Sequence, residues 1–96
     1  MQVFLIPQKQ LEQVVQQQRL VSVSIQRVEL KKWLPLFQVK DEAGRVVTCS
    51  LRLQASEEVR YWADLRLLAE WLRDKCDVER CELVMTDFNL KTGGKT

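Results

Sequence analysis

From Val21 to Leu53 the chain alternates apolar and polar residues in three successive runs. A period of two marks strands with one dry and one wet face, and three such runs in phase demand a sheet with a cover. Val21, Val23 and Ile25 take odd positions against Ser22, Ser24 and Gln26. Trp33, Phe37 and Val39 do so against Gln38 and Lys40, and Val47, Cys49, Leu51 and Leu53 do so against Thr48, Ser50 and Arg52. A tight turn at Asp41-Glu42-Ala43-Gly44 joins the last two runs, and Gly44 suits the left-handed position that closes a short hairpin loop. The pattern predicts a three-stranded antiparallel meander. After Arg27 the phase slips, with Val28 and Leu30 on even positions, so a bulge is expected near Gln26-Arg27. Pro35 cannot donate to a ladder, which predicts an edge, a strand start or a bulge there.

A cover is expected from the segment after Ser56. A hydroxyl followed by Glu57 and Glu58 suits a helix N-terminus, and Arg73 and Lys75 suit a C-terminus. A helix from Ser56 to about Lys75 would place Tyr61, Trp62, Leu65, Leu68, Ala69, Leu72 and Cys76 on one arc, with Leu67 and Trp71 on the other side. Pro7 precedes a shorter expected helix, Gln8 to Arg19, whose narrow stripe is Leu11, Val14 and Val15. Val3 to Ile6 reads as a short edge strand or apolar arm, and Cys81, Leu83 and Met85 as a last short strand.

The expected fold class is α+β: a single domain over residues 1–90 in the order helix, three-stranded antiparallel meander, long helix, short strand. The helices lie mainly on one face, and residues 91–96 form a flexible tail. Double-stranded-RNA-binding domains have a similar element order. They open their second helix with lysines, however, and Glu57-Glu58 at that place argues against the family.

Ninety-six residues suffice for one modest core, and 46% hydrophobic with 29% charged residues is a globular balance. Residues 1–54 hold 8 Lys/Arg against 4 Asp/Glu, and residues 55–96 hold 7 against 9, a mild asymmetry around a net +2. Three cysteines and no histidine give neither a zinc ligand set nor a disulfide framework. Free thiols in a reducing compartment are the simplest reading, with a Cys76–Cys81 bond as the alternative. No run approaches the roughly 20 apolar residues of a membrane span, and the expected location is cytoplasmic.

Catalysis is not expected. Histidine, the commonest acid–base group, is absent, and the glycines form no phosphate-binding loop. No cofactor and no metal site are predicted. Two binding readings remain. In the first, a non-catalytic, homodimeric protein-interaction module uses Leu67 and Trp71 on the helix, together with Leu34, Leu36 and Val46 on the even sheet face. The alternative is a DNA- or RNA-binding accessory protein using the polar even face, with Arg27, Lys31, Lys32, Lys40, Arg45 and Arg52. Neither involves a membrane or a small-molecule ligand.

Overall fold

The computed structural model describes residues 2–87. The elements run β1 (Phe4–Ile6), α1 (Gln8–Gln16), β2 (Leu20–Glu29), β3 (Lys32–Lys40), β4 (Val46–Leu51), α2 (Leu65–Cys76) and β5 (Glu82–Val84). The five strands form one mixed sheet in the order β1-β4-β3-β2-β5. The expected strands β2, β3 and β4 pair antiparallel in sequence order as its centre. Short parallel strands flank them, β1 on β4 and β5 on β2. The expected tail, residues 91–96, lies outside the described residues.

Both helices lie over the odd face. Leu11 and Val14 of α1 and Leu68, Leu72 and Cys76 of α2 pack on Val23, Ile25, Phe37, Val39, Cys49 and Leu51. Val21 and Ala69, expected in this interior, are exposed instead, because they lie at its margins. The α1 helix stops three residues short of the expected Arg19. Gln18 turns left-handed (φ 58°), and its N–H and that of Arg19 bond back to the carbonyls of Val15 and Val14. Such a cap closes the helix without glycine.

The second helix is the larger correction. It is 12 residues long, beginning at Leu65 and not after Ser56. Asp64 caps it, accepting from the Arg66 N–H at 2.8 Å. The Ser56 hydroxyl accepts only from the Glu58 N–H in a local turn. Residues 59–62 bridge to the sheet instead, held by Leu53 N–H to Glu58 C=O, Arg60 N–H to Leu51 C=O, and a reciprocal pair between Trp33 and Trp62 at 2.8 Å each. The run Val59-Arg60-Tyr61-Trp62 carries the β-branched and aromatic residues that favour such pairing.

Pro35 explains why there is room for this segment. It lies in β3, the central strand, rather than at an edge. The β3–β4 register ends at Phe37 opposite Cys49, short of Pro35, which has no N–H to continue it. The Pro35 carbonyl accepts instead from the buried Ser50 hydroxyl at 2.6 Å. Beyond that point Trp33 pairs with Trp62 in place of β4. The expected slip in β2 is also present, as a register shift between Arg27 and Glu29, and a second, unexpected shift lies between Leu20 and Ser22.

Candidate protein-contact site

The three tryptophans of the chain are linked in series, Trp33 to Trp62 through the backbone and Trp62 to Trp71 through their rings. Backbone pairing with Trp33 fixes Trp62, which is buried, just before the Asp64 cap. Trp71 stands on α2, and long side chains on a helix lean toward its N-terminus. The Trp71 ring therefore reaches Trp62, with centroids 5.3 Å apart. The Arg60 guanidinium lies over both rings, 4.2 Å from the Trp62 centroid and 5.4 Å from that of Trp71. Its side chain donates a hydrogen bond to Gln8 Oε1 at 3.3 Å. No acid pairs with Arg60 among the described residues. Partial burial pushes its pKa below the usual arginine value. Guanidinium is the cation that tolerates such a place, being weakly hydrated and flat enough to stack on indole.

One turn before Trp71 on the same side of α2 is Leu67, 62% exposed. Trp71 itself is half-buried and packs against the main core. The pair expected to stand free is thus one exposed leucine beside one partly sheltered tryptophan. No family model, curated protein or solved structure matches this chain. Only its own surface can speak for its function.

Leu34 and Leu36, expected on an open sheet face, are instead 0% and 6% exposed. They form a second small core with Val3, packed by Val28 and Val59. The chain ahead of β1 and the segment after β4 cross that end of the even face and seal it. Val46 remains exposed, but it pairs with Lys40 at the far end of that face, away from the helices. Of the five predicted interface residues, only Leu67 and Trp71 lie together with surface left open to solvent.

The predicted cations do not form a single patch. Lys31 and Lys32 lie at the β2–β3 turn, and Lys40 and Arg45 at the β3–β4 turn. Eight residue steps of strand separate Lys32 from Lys40, about 26 Å. Several are already engaged. Arg27 pairs with Asp87 at 3.1 Å and Arg45 with Asp41 at 3.3 Å. Lys32 lies 5.1 Å from the centre of the Tyr61 ring, and Arg52 reaches the carbonyls of Leu53 and Ser56. Nor is the even face continuously wet. Gln26 is buried, its amide donating to the carbonyls of Arg27 and Thr86, and Ser50 is buried on Pro35.

A shallow cleft of about 710 Å³ opens on that side, lined by Leu5, Leu53, Val59 and Tyr61 with Lys32, Glu57 and Glu58. No unpaired buried polar side-chain atom occurs among the described residues, so none points into it. All three cysteines are free, Cys49 and Cys76 buried and Cys81 exposed. Burial raises each thiol pKa, that of Cys76 to about 11 with help from the Glu12 charge. A thiol held in its neutral form is a poor nucleophile.

The Arg60–Trp62 stack was not foreseen from the sequence. A signal existed in the run Val59-Arg60-Tyr61-Trp62 followed by Asp64, which reads equally as strand and then helix cap.

Proposed function

We propose that this chain is a small non-catalytic protein-interaction module, acting through the shoulder of α2 that carries Leu67 and Trp71 beside Arg60. One observation carries the reading: an exposed leucine adjoins a half-buried tryptophan and an arginine with no acid partner among the described residues. Tryptophan and arginine dominate the energetics of protein contacts because they offer large, rigid surfaces and directed donors. The absence of histidine and the raised thiol pKa values support the non-catalytic part. The wide separation of the exposed lysines and the sealing of half the even face favour a protein partner over nucleic acid.

The test is site-specific photo-crosslinking in cells. A photoreactive residue in place of Leu67 should give a discrete protein adduct, identified by mass spectrometry. The same group at Glu42, in the exposed β3–β4 turn, should give none. Equal labelling from both positions, or none from position 67, would remove the proposal.

A further inference from the structure

The contact surface on α2 has a polarity that points to its own occupant. Leu67, Trp71 and Asp74 follow one another at helix-face spacing, and Glu70 lies three residues after Leu67. Glu70 and Asp74 are exposed, and neither joins an ion pair among the described residues. The stripe therefore runs from a cation at the N-terminal end of α2, where Arg60 stacks on Trp62, through Leu67 and Trp71, with Glu70 beside them, to Asp74 toward the C-terminal end. A two-fold axis perpendicular to the helix, passing between Leu67 and Trp71, exchanges those ends. It lays apolar on apolar and brings each cation to the other copy's Asp74, which is the self-complementarity of an isologous contact.

We infer that this shoulder seats the same shoulder of a second copy, helix antiparallel to helix, with Arg60 of each copy facing Asp74 of the other. The inference rests on the protein-contact reading and names its partner. Arg60 suits the role because Trp62 and Trp71 already hold its guanidinium plane. Little side-chain freedom is then lost when a carboxylate arrives, and the fork can bind it through two N–H groups. A contact built on one helix pair lies at the small end of stable interfaces, so association belongs in the range of about 10 to 500 µM chain.

The experiment is solution mass of the full 96-residue chain by sedimentation over that range. The mass should rise from that of one 11.3 kDa copy toward two, and Leu67→Glu should hold it at one. Arg60→Glu and Asp74→Arg should each weaken association at least tenfold. An equimolar mixture of those two variants should restore it, because each mixed pair regains both opposite-charge contacts. Asp74 and Leu67 are exposed, so Asp74→Arg and Leu67→Glu report on the contact even if Arg60→Glu disturbs the tryptophan stack. Wild-type mass fixed at one copy overturns the inference, and so does a dimer indifferent to Leu67→Glu and Asp74→Arg. A monomer that still gives a single adduct from position 67 with another protein would leave the contact surface in place and remove only the second copy. Loss of both results removes both.

Discussion

The indole rings of Trp62 and Trp71 stand 5.3 Å apart, centroid to centroid, inclined at 54°. Tilted pairs at this separation let the edge of one ring meet the face of the other. One ring belongs to the segment that pairs with β3, the other to the helix that follows. Their contact ties that segment to the helix and gives Arg60 a platform. It also shelters part of Trp71 and leaves Leu67 as the more exposed half of the pair.

Leucines that read alike in sequence should differ sharply in cost. Leu34→Ala empties a fully buried site and should lower stability by about 2–5 kcal/mol in urea unfolding. Leu67→Ala should stay within about 0.5 kcal/mol of wild type under the same conditions. Comparable midpoints for the two variants would contradict the division into sealed and open faces.

The cap of α2 offers a second check. Asp64→Ala removes the acceptor for the Arg66 N–H and should cost about 1 kcal/mol, whereas Asp64→Asn should recover most of it. Ser56→Ala, at the start expected from sequence, should change helix content little. Far-ultraviolet circular dichroism through thermal melts separates the two positions.

Ser50 and Pro35 close a gap in the sheet with one hydrogen bond of 2.6 Å. Ser50→Ala leaves the Pro35 carbonyl buried without that partner and should cost about 1–3 kcal/mol. A variant as stable as wild type would mean that the carbonyl finds another donor.

The buried Cys76 thiol predicts a loss of stability in alkali. Its pKa is raised from 9.0 to about 11 in the folded chain, so above pH 9 the unfolded chain binds fewer protons than the native one. Stability from this group is complete below pH 9 and falls as pH rises through 11, by roughly 2 kcal/mol. The difference in unfolding free energy between wild type and Cys76→Ala, followed from pH 8 to 11, should shrink accordingly. A constant difference would place the thiol in water. At neutral pH, Ellman's reagent should label exposed Cys81 quickly and the two buried thiols only on unfolding.

Nucleic acid supplies a negative control. With its exposed lysines at opposite ends of β3, the chain should show little retention on random duplex even at about 50 mM salt. Tight binding lost near 200 mM would favour the cationic reading instead.

The alternation between Val21 and Leu53 determined the central meander, the dry odd face and the need for helices above it, because a period of two is a local property of a half-buried strand. The slip after Arg27 was legible for the same reason. Tertiary structure alone decided what became of residues 56–64 and of the even face. Ser56-Glu57-Glu58 and Asp64 are both sound helix starts, and the choice fell to Asp64 because Pro35 leaves β3 without a ladder partner that Trp62 then supplies. That insertion draws Val59 over Leu34 and Leu36 and lifts Arg60 onto the two tryptophans. Such effects depend on which strand ends lie side by side, and no local pattern records it.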